Sequence, residues 1–186
     1  MKISLNHYSD LPVLETDRLL LKPLNKSYLS QNYVDWMNDG EVNRYLESGG
    51  DYNLKKLNEY LTEVERNPKY FWAIILKEIN KHIGNIKIDP INLKHYNAEY
   101  GIMMGDKNEW GKGYAKEVSK LVIDYCFKTL KLRKITLGVI EKNERAINLY
   151  LSLKFKVEGK LIDQVKHNGI YCNVLRMAIF NDKFKL

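Results

Sequence analysis

One stretch, Gly101 to Glu117, constrains the fold more than any other: GIMMGDKNEWGKGYAKE. A strand-like run ends in a short loop with two closely spaced glycines, Gly111 and Gly113, and passes straight into a long helix. That helix is expected from Gly113 to about Leu130, with Val118, Leu121, Val122 and Tyr125 on one side. Glycines at such a junction let backbone approach a ligand, and the exposed amides and positive dipole end of a helix favour phosphate or pyrophosphate. Two familiar glycine loops do not fit. A P-loop has four residues between its first Gly and Gly-Lys, then Ser or Thr, whereas five residues separate Gly105 from Gly111-Lys112 and Gly113 follows. A dinucleotide fingerprint needs a third small residue where Lys116 stands and usually opens the first βαβ unit. Taken alone, the two glycines also suit a plain tight strand-to-helix connection.

The flanking pattern places that unit in a mixed α/β sheet. Arg18–Leu24 reads as a strand, after which Ser27 is placed to cap a helix with Leu29, Tyr33, Trp36 and Met37 on one face, ending by Asp39-Gly40. Asn53 opens a second helix carrying Leu54, Leu57, Leu61 and Val64, and Pro68 lies just beyond its end. Three antiparallel strands are expected at Tyr70–Lys77, His82–Ile88 and Ala98–Met104, and a further strand at Lys134–Ile140 after the long helix. A short helix, Glu144–Leu153, and two strands, Phe155–Gly159 and Ile170–Phe180, complete the chain, with Asn168-Gly169 supplying a hairpin turn. No repeat or linker is visible, so the 186 residues are read as one domain with its core at about 15–181.

Composition narrows the function classes. Hydrophobic residues at 45% and charged residues at 28% are globular values, which exclude a disordered or collagen-like chain. Thirty Lys and Arg against 23 Asp and Glu give +7, which favours a polyanionic partner without choosing one. Cys126 and Cys172 lie outside any CxxC, so neither a disulfide scaffold nor a zinc site is indicated. The longest apolar run, Phe71–Leu76, is far short of a membrane span, and MKISLNHYSDLP lacks the apolar region of a signal peptide, so a cytoplasmic location and no membrane partner are expected. His7, His95 and His167 have no metal-ligand spacing, and no metal is expected. KTLKLRK, Lys128–Lys134, has the look of a nucleic-acid patch, but cations at a helix C-terminus are favoured by its dipole, and no strand interleaves aromatics with Lys and Arg as RNA binders do. No nucleic-acid partner is expected.

A second motif follows the loop by about thirty residues: NERAINLYLSLKF, Asn143–Phe155, whose Asn143, Ala146 and Tyr150 share one helical face. With LETDRLLLKPL, WMNDGEVNRYL, NEWGKGYAKE and the VEGKL that follows, the chain resembles the GNAT superfamily of acetyl-CoA-dependent N-acetyltransferases, in its RimJ/RimL-like and spermidine-acetyltransferase-like branch. Asn108, Gly111 and Gly113 stand where that family has its Q/R-x-x-G-x-G/A pyrophosphate loop, Asn108 departing from the usual Gln or Arg. The resemblance implies that amides of Trp110, Gly111, Lys112, Gly113, Tyr114 and Ala115 hold the pyrophosphate of acetyl-CoA. It implies further that the pantetheine arm runs between strands that splay apart, pairing with the backbone of Met103 and Met104 and hydrogen-bonding to Asn143.

Direct transfer of acetyl to an amine needs a base, because an alkylamine with a pKa of about 10 is mostly charged at neutral pH. Glu99, on the strand from which related enzymes supply a carboxylate, is the first candidate, and His82 the second. Tyr150 stands where family members often place a proton donor for the departing thiolate. Three acceptors compete: a protein N-terminal amine, a polyamine, and an amino sugar that is free or nucleotide-linked. The acidic set Asp35, Asp39, Glu41 and Glu47 would suit a polyamine, while the basic balance suits a phosphorylated acceptor. Outside the enzyme class stand a non-catalytic acyl-CoA-binding module and a basic nucleic-acid-binding protein. The final strand, Ile170–Phe180, is a candidate dimer edge, leaving monomer or homodimer open.

Overall fold

The structure, a computed structural model, describes residues 7–46, 50–167 and 169–185. Its frame is an eight-stranded sheet ordered β1-β2-β3-β4-β5-β6-β8-β7, antiparallel at every junction except β5 to β6. The strands are β1 (Leu14–Glu15), β2 (Leu19–Pro23), β3 (Tyr70–Leu76), β4 (Lys81–Asn92), β5 (Asn97–Met104), β6 (Lys134–Ile140), β7 (Lys156–His167) and β8 (Ile170–Phe180). Four helices flank them: α1 (Gln31–Asn38), α2 (Leu54–Arg66), α3 (Tyr114–Lys128) and α4 (Glu144–Ser152). The expected α/β class and mostly antiparallel sheet are what is found.

Period-2 alternation sends side chains of each strand to opposite faces, and two cores result. On one face Trp72 and Ile74 of β3, Ile86 of β4, Tyr100 of β5 and Leu137 of β6 pack under Val118 and Val122 of α3 and Tyr150 of α4. On the other, Phe71, Ala73 and Ile75 of β3 pack under Tyr33, Val34 and Met37 of α1 and Leu57, Leu61 and Val64 of α2. Buried on both faces, β3 reads as the continuous apolar run YFWAIIL, and each of its larger side chains contributes roughly 1.5–3 kcal/mol of burial.

Several boundaries differ from expectation for local reasons. Ser27 caps nothing: Asn25 opens a 3₁₀ turn at Lys26–Tyr28, and Ser30 caps α1 by accepting from the Tyr33 amide. Asn53 caps α2 as expected, accepting from Lys56. The strand expected at Phe155–Gly159 runs on to His167, because β7 pairs with β8 along most of its length. The final strand β8 is interior, between β6 and β7, so the free edge belongs to β7 and not to Ile170–Phe180. Asn168 of the expected turn lies outside the described residues, while Gly169 takes the left-handed φ of +81° that such a turn requires. Among the described residues no helix is long and apolar enough to cross a membrane.

Candidate active site

β5 and β6 are parallel neighbours for three rungs only: Asn97 with Lys134, Ala98 with Ile135, and Glu99 with Thr136. Beyond that rung β5 continues against β4 as far as Met104, and β6 continues against β8 as far as Ile140, so the two strands diverge and leave a slot between Tyr100–Met104 and Leu137–Ile140. Backbone groups along a slot of this kind have no cross-strand partner in the sheet and are available to an extended ligand. Met103 and Met104 are the last residues of β5 along it. The Met104 carbonyl is already engaged, accepting from the Trp110 indole nitrogen at 2.8 Å.

The loop after β5 turns into α3 at the wide end of the slot. Gly111 and Gly113 take φ of +79° and +84°, a left-handed region costly to any residue with a side chain, and nothing lies within 4 Å of the direction in which a Cβ at Gly111 would project. Gly113 is the N-cap of α3 and has no side chain to cap with, so the first-turn amides from Tyr114 onward face outward without a cap. This cradle of amides at a helix N-terminus fits a pyrophosphate. One expected donor is committed elsewhere: the Trp110 amide closes a 3₁₀ turn onto the Lys107 carbonyl at 3.1 Å. Asn108 is exposed, and its backbone N–H donates to the Asp106 carboxylate. Lys112 pairs with Glu109 at 2.8 Å and stays exposed beside the cradle.

A residue that sequence reasoning passed over anchors the loop. Arg18, before β2, donates to the Lys112 carbonyl at 3.2 Å and through Nε to Glu117 at 2.8 Å, with its guanidinium 4.5 Å from the Tyr114 ring centre. Thr16 completes the hold, donating to Glu117 at 2.5 Å. Burial opposes the Glu117 charge, but the bonds from Thr16 and Arg18 outweigh it and hold its carboxyl below the ordinary range. Arg18 was visible in LETDRLLLKPL, yet nothing local to that motif points to a carboxylate 99 positions away.

α4 closes the slot from the β6 side. Asn143 caps α4 through Oδ1, accepting from the Ala146 amide at 3.2 Å, so its carbonyl oxygen is spent on the helix and its Nδ2 is left to donate. Tyr150 is buried, 5.9 Å edge-on from the Tyr100 ring and 5.8 Å from that of Phe155, and burial pushes its phenol up to about 12. Its hydroxyl has no hydrogen-bond partner among the described residues, whereas the Tyr100 hydroxyl is tied to Ser119 at 2.7 Å. Arg145 lays its guanidinium 4.8 Å from the Trp110 ring and bridges α4 to the loop.

The face under α1 and α2 carries the two candidate bases. Glu99 is not free: Arg176 of β8 grips both carboxylate oxygens at 2.8 and 2.7 Å, and Thr136 donates to Oε2 at 2.7 Å. Partial burial opposes its charge, but these bonds outweigh it and keep the carboxyl below its usual range. A carboxylate so held is a weaker base than an ordinary one. His82 is enclosed by the rings of Tyr28, Tyr33 and Trp36, at 4.9, 5.6 and 4.9 Å. Its Nε2 lies 2.9 Å from the Gly84 carbonyl, which can only accept, so Nε2 carries the proton and Nδ1 keeps the lone pair. Burial lowers its pKa and keeps it neutral. Trp36 rests against Gly105, where any side chain would strike the indole, and a cavity of about 220 Å³ opens between Tyr28, Trp36 and His82. The acidic set is not an open pocket: Asp39 and Glu41 share Lys107 at 2.7 and 2.9 Å, Gln31 donates to Asp35 at 2.8 Å, and Glu47 lies outside the described residues. Among the described residues no three His, Cys, Asp or Glu are grouped to hold a metal.

The chain's likeness to known proteins is consistent with this geometry. Residues 18–156 match the family model described as an acetyltransferase (GNAT) domain. A curated spermidine N(1)-acetyltransferase of Escherichia coli (strain K12) is 40% identical over 101 residues, which cover 54% of this chain and 54% of that protein, so the match spans about half of each. The solved structure of spermidine N-acetyltransferase from Vibrio cholerae, in complex with CoA and spermine, superposes with a TM-score of 0.81 at 27% identity, over 91% of this chain and 99% of that one. A ribosomal-protein-S5-alanine acetyltransferase from Vibrio fischeri shares the fold, with a TM-score of 0.77 at 19% identity over 94% and 100% of the two chains.

Proposed function

The chain belongs to the GNAT acetyltransferase family, and on that premise we propose that it transfers the acetyl group of acetyl-CoA to a small primary amine. The observation that carries this reading is the slot between β5 and β6, which opens directly onto the uncapped N-terminus of α3. An extended arm bearing a pyrophosphate needs those two features together, an unpaired strand edge and a cradle of amides. In this reading the amides from Gly111 to Ala115 hold the pyrophosphate, the Met103 backbone lines the arm, and Asn143 Nδ2 donates to it.

The acceptor approaches from the face bearing Trp36 and His82, opposite the core that holds Tyr150. Its free-base form attacks the thioester carbonyl; the new C–N bond forms, the C–S bond breaks, the sulfur leaves as a thiolate, and the proton shed by the new amide nitrogen passes through water to solvent or to that sulfur. The Tyr150 hydroxyl, protonated and otherwise unpartnered, donates a hydrogen bond to that sulfur. The paired state of Asp39 and Glu41 does not favour a polycation over other amines, so acceptor class is left to experiment. Two free, buried cysteines suit a reducing compartment, and we place the reaction in the cytoplasm.

The test is release of free thiol from acetyl-CoA in the presence of polyamines, amino sugars and N-terminal peptides, with the product weighed by mass spectrometry. A gain of one acetyl group on one amine class is the expected result. Tight acetyl-CoA binding with no product from any class would instead make the chain a non-catalytic acyl-CoA module.

A further inference from the structure

Glu99 occupies the last rung before β5 and β6 part, and it joins three strands there. Its own strand is β5, Thr136 belongs to β6, and Arg176 belongs to β8 on the far side of β6. The guanidinium crosses β6 at Gly138, where the lack of a side chain leaves it room: a Cβ there would lie 3.0 Å from Arg176 NH1 and 3.3 Å from Val174. The contact is a two-pronged Arg–carboxylate pair, NH1 to Oε1 and NH2 to Oε2, a geometry that fixes orientation as well as distance. The surrounding charges are few. Glu158 of β7 pairs with Lys134 at 2.7 Å at the start of β6, and Lys87 of β4 lies along Gly101.

From this juxtaposition we infer that Glu99 is a positioning residue, a clamp that with Arg176 and Thr136 fixes the vertex from which the cofactor slot opens, and that it does not take the proton of the acceptor amine. The inference rests on the acetyltransferase reading and specifies how its slot is held. A base must turn a lone pair toward its proton, whereas both oxygens of Glu99 are occupied by donors on neighbouring strands. Where the clamp is intact, β5 and β6 separate at one rung only. Where it is broken, the vertex can slide along the strands and the slot loses its shape for the arm.

The experiment measures acetyl-CoA affinity by calorimetry and kcat across pH for the wild type, Glu99→Gln, Arg176→Met, their double variant and Thr136→Val. The clamp predicts that each of the first two single variants weakens acetyl-CoA binding about 5- to 20-fold, a partly exposed pair being worth less than a buried one, with kcat within about threefold and a pH profile parallel to the wild type. Either single change already breaks the clamp, so the double variant binds acetyl-CoA about as weakly as the weaker of the two single variants, within about threefold, and well short of the product of the two losses. Thr136→Val, the mildest change, moves affinity about two- to threefold in the same direction and carries the test should either single charge variant fail to fold. A kcat loss of about 100-fold or more in Glu99→Gln overturns the clamp in favour of a base. Unchanged affinity in Glu99→Gln or, if that protein does not fold, in Thr136→Val also overturns it. A wild type that binds no acetyl-CoA strikes the acetyltransferase reading itself, whereas binding that is indifferent to the variants strikes the clamp alone.

Discussion

Tyr150→Phe lowers turnover by about 100-fold while acetyl-CoA affinity changes by less than about threefold. The expected size sits at the low end for a general acid for a specific reason. With its phenol near 12 and a thiol ordinarily near 8.5, complete proton transfer to the sulfur would run uphill by about 5 kcal/mol. In the proposed mechanism Tyr150 therefore serves as a hydrogen-bond donor to the developing thiolate, not as a full proton donor. The same burial keeps it protonated throughout the neutral range, so the donor is always charged with its hydrogen. Phenylalanine keeps the packing against Tyr100 and Phe155, and the lost hydroxyl leaves no partner behind, so thermal stability is unaffected. Steady-state kinetics and calorimetry on the purified variant check both halves of the statement; turnover equal to the wild type would remove Tyr150 from the mechanism.

Gly84→Ala does more general damage. Gly84 of β4 pairs with Met104 of β5, and a methyl group there would collide with the Met103 carbonyl oxygen and lie 3.0 Å from the Met104 Cα. These are backbone atoms, so nothing can rotate aside, and β5 must shift along the very segment that borders the slot. Overpacking of this kind costs about 1–3 kcal/mol, or a Tm lowered by roughly 3–10 °C, and a displaced Met103 weakens acetyl-CoA binding by about tenfold or more. Gly159→Ala is the control: nothing lies within 4 Å of its Cβ position, and melting and binding stay as in the wild type. Equal melting temperature and affinity in Gly84→Ala would show that β5 has room this packing denies.

Where the chemistry was local, it was legible. The two-glycine loop, the strand Lys134–Ile140 and the Asn53 cap depend on residues adjacent in the chain, and the structure has them as read. The capping role of Asn143 was missed; Asn three residues before Ala146 at a helix start was the signal available. The length of β7 escaped because most of its side chains are exposed, which erases the alternation that marks a strand with one buried face. Long-range pairs left no trace at all. Glu99 looked like a free carboxylate because its partner lies 77 positions later, and Arg18 looked like the start of a strand because Glu117 lies 99 positions on. Such contacts are set by sheet order, which no local pattern encodes.

Calorimetric titration of the wild-type chain with acetyl-CoA probes the β5–β6 slot and the α3 N-terminus together, as one proposed site for acetyl-CoA. Saturable binding of one molecule per chain is expected, weakened about tenfold or more in Gly113→Ala, where a side chain is forced into a left-handed φ of +84° at the head of the amide cradle. No heat of binding to the wild type, or binding that is indifferent to Gly113, would contradict that proposal.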